Sequence, residues 1–423
     1  MRDRATWAFL AVTALFFAWG FVTSLVDPLV AAVKNIFSLT NTEAQLSAFA
    51  FFIAYGVVSL PGALLLRRLG AVWGIVVALG LMAVGCLIML FASNIAVYEG
   101  VLLGLFVIAS GITILQVAAN PLAAALGKPQ YSHFRLTFSQ AFNSVGTVLG
   151  PLIGARLFLH GLDTKPGEVL SGAARHNALG AIDAAFLMVA GFIVLMALFI
   201  WLMRHLIRAA APVAQGPALS FGATVREAFT ARWTLLGGAA IFLYVGAEVS
   251  IGSQMALFLH EPNVWGIALQ QAGYFVSLYW LGAMVGRIFG SLLMIVLPAA
   301  RMLAVAAAMA ALLCVAVLLL GGEVGGYAAL SIGLFNSIMF PTIFTLTLER
   351  SSASEEVTSG FLCMAIVGGA FVPLLVGAMS DTVGYQHSYA VPALCYILLF
   401  VFAVIAQRAR VQRSGEEAPA ALH

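Results

Sequence analysis

Twelve apolar runs follow one another along the chain, near positions 7–33, 43–66, 71–93, 98–126, 134–160, 181–203, 233–259, 267–295, 300–320, 324–348, 357–380 and 387–407. Each is long enough for a helix that crosses a bilayer, which takes about 20 mainly apolar residues. Transmembrane β-strands alternate over about ten residues and face a polar lumen; these runs are too long and too continuously apolar for that. The pattern predicts an all-α polytopic membrane protein with twelve transmembrane helices. The first run follows Arg2 and Arg4, as a secretory signal would. It stays apolar well past the length of such a segment and lacks a small-x-small cleavage site, so it is expected to be retained.

The least apolar interior stretch, 204–232, carries Pro212, Pro217 and four arginines, and it divides six runs from six. It predicts an N-terminal six-helix half over 1–203, a cytoplasmic middle loop over 204–232, a C-terminal six-helix half over 233–408 and a cytoplasmic tail over 409–423. A transporter built of repeats leaves weak internal symmetry. Here Gly62-x4-Arg67-x2-Gly70 returns 220 residues later as Gly282-x4-Arg287-x2-Gly290, and Pro121 returns at the same offset as Pro341. VGTVLGP (145–151) is matched by VGGAFVP (367–373), 222 residues on. Glycines let helices and short turns approach closely, while an arginine at headgroup level can bind a helix end or an acid of the facing half. Arg67 and Arg287 are therefore candidate gate residues, or else ordinary arginines of the positive-inside kind.

Composition agrees with the pattern: 423 residues, 62% hydrophobic and 9% charged, with a mean hydropathy of +1.05. Cytoplasmic loops carry an excess of Lys and Arg. With the N-terminus inside, 16 of these residues fall on the inner side, and only Lys34, Arg156, Lys165 and Arg175 on the outer. Both termini are thus expected in the cytoplasm and the chain in the cell inner (plasma) membrane. The net charge of +3 reflects topology and suggests no nucleic-acid partner. Cys86, Cys314, Cys363 and Cys395 all fall within predicted spans, so neither a disulfide framework nor a metal site is expected.

Polar groups in hydrocarbon are costly, so ionisable residues within spans usually face the bundle interior and mark a pathway. Only Asp27 and Glu248 are carboxylates well inside predicted spans. Asp27 shares a helix face with Trp19 and Thr23, about 10 Å below the outer boundary at Lys34. Burial penalises the charged form of a carboxylate, which gives Asp27 a physical basis for exchanging a proton. The alternative is an aspartate capping an irregularity beside Pro28. Glu248 lies near the middle of run seven, between Tyr244 and Gly252, and is either a second coupling group or interhelical glue.

Gln116 and Asn120 form an i, i+4 pair in run four, Gln140 and Asn143 mark run five, and Gln254 and Asn336 add two carboxamides in the second half. Amides both donate and accept without charge, which suits the hydroxyls of a neutral sugar. Trp19, Tyr55, Tyr244 and Phe340 add aromatic surface on which a sugar ring can lie. Plain helix packing and amide-mediated helix association are the competing readings. Asn120-Pro121 is expected to be a locally loosened, substrate-facing end of run four, echoed by Pro341. No Walker-type loop occurs, so ATP is not expected as the energy source.

These residues carry a resemblance. FFAWGF (16–21), FFIAYGVVSLPGALL (51–65), LFVIASGITILQVAANPLAAALG (105–127), FRLTFSQAFNSVGTVLGP (134–151), FLYVGAEVSIGS (242–253), FPTIFTL (340–346) and VPALCY (391–396) resemble the major facilitator superfamily. Within it they resemble the fucose-galactose-glucose:proton symporter family, on the glucose/galactose-permease-like branch; LQVAANP and SQAFNSVG are specific to that family. The resemblance implies a major facilitator fold whose halves rock around a central sugar site. It also implies that Asp27 matches a proton-coupling aspartate of span one, while Gln116 stands where the fucose branch has its second acid. Val26 replaces the usual asparagine before the aspartate, and Glu248 stands where the fucose branch carries glutamine, which moves the expected substrate towards glucose or galactose.

The expected function is import of a small neutral hexose by cation symport through alternating access, with a proton, or alternatively sodium, as co-substrate and no cofactor. Asp27 and Glu248 are the coupling candidates. Gln116, Asn120, Gln140, Asn143, Gln254, Asn336, Trp19, Tyr55, Tyr244 and Phe340 are the sugar-contact candidates. The partners expected are the sugar and the lipid bilayer, with the protein monomeric. A sugar facilitator or a sugar/drug efflux carrier is the alternative. A sugar sensor would need a sizeable soluble output domain, and an enzyme a clustered acid-base or nucleophile set, which the sequence lacks.

Overall fold

The structure is a computed structural model that describes residues 2–126, 132–159, 172–210, 221–294, 297–353 and 355–409. Lys128, Lys165 and the expected tail beyond position 409 lie outside them, as does the side chain of Arg67. The described residues are helical almost throughout. Proline breaks the first span into α1 (Arg2–Ser24) and α2 (Val26–Phe37). Pro28 has no N–H to give, and its ring opposes the carbonyl four residues back. The Ser24 hydroxyl bonds back within α1, donating to the Gly20 and Phe21 carbonyls at 2.9 and 3.2 Å. Spans two to six are α3 (Asn41–Leu69), α4 (Ala71–Asn94), α5 (Tyr98–Ala125), α6 (Ser132–Phe158) and α7 (Gly172–Ala210).

The expected middle loop is partly helical. α7 runs seven residues into it, to Ala210, and α8 (Phe221–Thr230) occupies its second part. RHLIRAA is made of good helix formers, and its arginines can keep their charge in the headgroup layer, so nothing stops the helix at position 203. The second half comprises α9 (Arg232–His260), α10 (Leu269–Leu293), α11 (Ala299–Leu320), α12 (Gly322–Asn336), α13 (Met339–Arg350), α14 (Glu355–Met364), α15 (Gly368–Ser388) and α16 (Ala390–Arg408). A short 3-10 turn, Ala365–Val367, joins α14 to α15.

Counting α1–α2, α12–α13 and α14–α15 as single crossings, the described residues make twelve membrane spans in two halves of six. Ten pass a length-and-composition test for crossing a bilayer among the described residues; α3 and α6, of 29 and 27 residues, complete the set. α4, α7, α11 and α16 turn exposed residues such as Phe91, Leu195, Leu319 and Leu394 outward, and form the lipid-facing flanks. Within a membrane such exposure is the expected partner of lipid tails. The halves meet along three seams, α3 with α15, α6 with α10, and α2 with α9.

The expectation of a loosened end to span four is corrected: α5 continues unbroken past position 121 to Ala125. The break falls in the other half, at Ser337–Ile338 between α12 and α13. Pro341 there repeats the chemistry of Pro28, because the carbonyl it displaces four residues back is that of Ser337.

Small residues set the closest helix approach. A methyl group on Gly368 would overlap the Phe242 carbonyl oxygen, and one on Gly246 would overlap Val372. Gly368→Val is therefore expected to prise α15 from α9 and cost about 1–3 kcal/mol. A thermal-shift measurement in detergent checks this as a fall in Tm relative to Gly360→Val, a site with nothing within 4 Å.

Candidate functional site

The break in span one places Asp27 in the first turn of α2, with 6% of its surface exposed. It does not cap that helix: the N-cap, Leu25, receives no side-chain bond. Its carboxylate instead crosses to the other half, where Trp280 Nε1 on α10 donates to Asp27 Oδ2 at 2.7 Å. The same carboxylate lies over Gly252 of α9, where a Cβ would stand 3.3 Å from Oδ1. Glu248 is one helical turn from Gly252, about 6 Å along the axis. The two carboxylates found by sequence are thus brought together at the seam between the halves, with a glycine making the room.

The N-terminal half contributes paired polar groups of its own. Gln116 Nε2 donates to Tyr55 Oη at 2.8 Å, joining α5 to α3. Asn143 Nδ2 donates to the Phe16 carbonyl at 3.1 Å, joining α6 to α1, and the Phe16 ring lies 4.1 Å from that of Trp19. Gln116, Asn120, Gln140 and Asn143 are all half-buried. Asn120 Oδ1 and Thr23 Oγ1 are buried with no hydrogen-bond partner from the protein.

The C-terminal half holds a compact cluster. Tyr244 Oη lies 2.6 Å from Glu248 Oε1 and 3.0 Å from the Asn336 carbonyl oxygen. Asn336 Nδ2 donates to Tyr279 Oη at 2.7 Å, and that hydroxyl donates to the Glu248 carbonyl at 3.3 Å. Phe340 sits nearby, its ring 6.5 Å from that of Tyr244. Asn336 Oδ1 is buried and has no protein partner. Tyr244 has one hydroxyl proton and two acceptors in reach. Both contacts are filled at once when Glu248 carries a proton and donates it to Tyr244 Oη, leaving Tyr244 free to donate to the Asn336 carbonyl.

Two residues sit elsewhere than expected. Gln254, six residues past Glu248, is turned about 120° around α9; it accepts from Ser380 Oγ at 3.0 Å and belongs to the α9–α15 contact. Arg287 reaches into the bundle and across to the other half. It lies six residues before the end of α10 and is half-buried. Nη1 donates to Ser144 Oγ of the other half at 2.7 Å, and Nε to the Ser337 carbonyl at 3.4 Å. That carbonyl is the one freed by Pro341, so the helix break supplies the arginine with an acceptor within the membrane. Neither Trp280 nor Tyr279 is among the sugar-contact candidates drawn from the sequence. Both are aromatics with a polar edge, the type that finds a hydrogen-bond partner when buried, but nothing in the sequence pairs them with Asp27 or Asn336.

The model of the Major Facilitator Superfamily matches residues 8–360. A "Glucose/galactose transporter" of Brucella abortus is 41% identical over 401 residues, covering 95% of this chain and 94% of that one. The chain belongs to the major facilitator superfamily, in its fucose-galactose-glucose:proton symporter family. An "L-fucose-proton symporter" of Escherichia coli (strain K12) is 31% identical over 410 residues, covering 93% of this chain and 92% of that protein. The crystal structure of FucP, a major facilitator transporter in the outward conformation, superimposes with a TM-score of 0.69 at 29% identity, over 94% of this chain and 98% of FucP. Like other members, the chain is a multi-pass membrane transporter and not an enzyme.

Proposed function

We propose that this protein imports a neutral hexose of the glucose, galactose or fucose type together with a proton, by rocking its two halves around the seam that holds Asp27 and Glu248. The observation that carries this reading is that Thr23 Oγ1, one helical turn before Asp27, and Asn336 Oδ1, on the residue whose carbonyl shares Tyr244 with Glu248, are buried acceptors without a protein partner, as is Asn120 Oδ1 in α5. An unmet buried acceptor costs about 1–3 kcal/mol, and several hydroxyls on one small ring meet such acceptors together. The family's named relatives support the choice of sugar. The hydrogen count at Tyr244 supports a proton as the coupling ion, since it gives Glu248 a bonded place for one. Asp27 is the first coupling residue in this reading and Glu248 the second. Gln116, Asn120, Gln140, Asn143, Asn336, Trp19, Tyr55, Tyr244 and Phe340 are the sugar contacts, with Gln254 a support to α15. Both termini lie in the cytoplasm of an inner-membrane protein.

Uptake of labelled glucose, galactose and fucose into proteoliposomes tests this. Accumulation of at least one is expected under an inward proton gradient and should collapse on adding a protonophore. Accumulation that survives the protonophore but needs sodium overturns the choice of ion. Counterflow without any gradient dependence makes the protein a facilitator.

A further inference from the structure

On the outer face the two halves are clasped at one helix end. α3 begins with Thr40 as N-cap, in a capping box with Glu43: Glu43 N–H donates to Thr40 Oγ1 at 3.2 Å, and Thr40 N–H to Glu43 Oε2 at 2.8 Å. This box serves the third amide of the helix and leaves the first two, those of Asn41 and Thr42, without an acceptor from the helix itself. Asp381 of α15, in the opposite half, fills that gap. Its Oδ1 accepts from Asn41 N–H at 2.7 Å, and its Oδ2 accepts from Thr42 N–H at 2.8 Å and from Thr42 Oγ1 at 2.5 Å. A carboxylate also suits the positive end of the helix dipole.

Beside this contact the chain of α15 turns at Gly384, whose φ of +83° and ψ of 165° an L side chain would strain to adopt. The turn presents Tyr385 to the same seam: Lys34 Nζ of α2 donates to Tyr385 Oη at 2.6 Å, and that hydroxyl donates to Asn41 Oδ1. One turn inward, Ser253 Oγ of α9 donates to Gln45 Oε1 of α3 at 3.0 Å, and Gln45 is 1% exposed.

We infer that Asp381 is a positioning residue of the transport cycle: it completes the N-terminal cap of α3 only while the outer ends of spans two and eleven are together, and so holds the outer side shut. Outward opening must uncover the Asn41 and Thr42 amides, which then turn to water. The half that carries α3 is capped well enough by its own Thr40–Glu43 box to survive this. The cross-half carboxylate therefore biases the conformational equilibrium and is not needed for α3 to fold. The inference rests on the rocking of the two halves, not on the choice of sugar or ion.

The test uses the full chain with its four native cysteines replaced by alanine and Gln45→Cys as a reporter. A membrane-impermeant maleimide applied from outside should label the reporter slowly when Asp381 is present and about fivefold faster with Asp381→Ala, the effect of removing one typical N-cap. Asp381→Glu should restore slow labelling and reverse the small fall in Tm that the loss of one cap brings. Equal labelling of Asp381→Ala and its parent overturns the inference; so does faster labelling with a matching fall in Tm that Asp381→Glu does not repair. As a second arm, Thr42→Cys with Asp381→Cys in the same cysteine-free background should cross-link, stop sugar exchange, and recover on reduction. Full exchange in the cross-linked protein overturns the inference as well. The labelling arm needs no transported substrate, so a failed sugar assignment and a failed latch give different results.

Discussion

Asp27→Asn is expected to abolish sugar accumulation while leaving sugar exchange largely intact. The carboxamide keeps an oxygen in the place of Oδ2, so the indole N–H of Trp280, now 2.7 Å away, still has an acceptor and the contact between halves survives. An asparagine also has nearly the shape of a protonated aspartate, and the space over Gly252 needs no adjustment. What disappears is the proton that can come and go. Exchange of labelled for unlabelled sugar needs only the occupied carrier to rock, so it continues. Net accumulation needs the proton to be released inside, so it stops. A membrane potential of 100 mV contributes about 2.3 kcal/mol per proton, or about 50-fold accumulation, and this is the effect that Asp27→Asn should remove. Proteoliposomes with an imposed potassium diffusion potential measure both quantities. Undiminished accumulation by Asp27→Asn would reject Asp27 as the coupling group and leave Glu248 to be tested in its place.

The second large effect is expected at Gln116. Its Nε2 is engaged with Tyr55, so Gln116→Leu removes that bond, deletes the side chain's acceptor oxygen from the site, and leaves the Tyr55 hydroxyl buried without its donor. If the amide contacts sugar, the loss of about two hydrogen bonds lowers exchange at subsaturating sugar by about a hundredfold. The change should appear in the half-saturation constant, beside a fall in Tm no larger than the one Tyr55→Phe brings by breaking the same bond. An amide serving only to tie α5 to α3 gives the reverse, a lower Tm with unchanged sugar affinity. Tyr55→Phe provides the comparison, because it breaks the same bond while leaving Gln116 in place.

Much of the architecture was legible in the hydrophobic pattern. The twelve runs follow from the requirement that a chain in lipid satisfy its own backbone, which length and hydropathy report directly, and the matched prolines and glycines at offsets of 220 to 222 mark the two halves. The helix breaks were only half legible. Pro28, Pro121 and Pro341 all sit within spans, yet α5 passes position 121 unbroken while α1–α2 and α12–α13 separate. A carbonyl freed by proline in lipid needs a donor from elsewhere in the fold, which the local sequence does not show. At Ser337 it is Arg287.

The sequence by itself determined the class of the protein and supplied the candidates for its site: two carboxylates in apolar runs, a set of uncharged amides and the aromatic residues among them. These are properties of single residues in single spans, and the cost of burying a polar group makes each of them conspicuous in an apolar run. Only the tertiary structure decided which of them meet. It paired Asp27 with Trp280 across 253 positions, turned Gln254 towards Ser380, joined Arg287 to Ser144 of the other half, and set Asp381 on the first amides of α3. Such pairings depend on the rotation and depth of one helix against another. That geometry is fixed by side-chain packing over the whole bundle, and the local order of residues does not encode it.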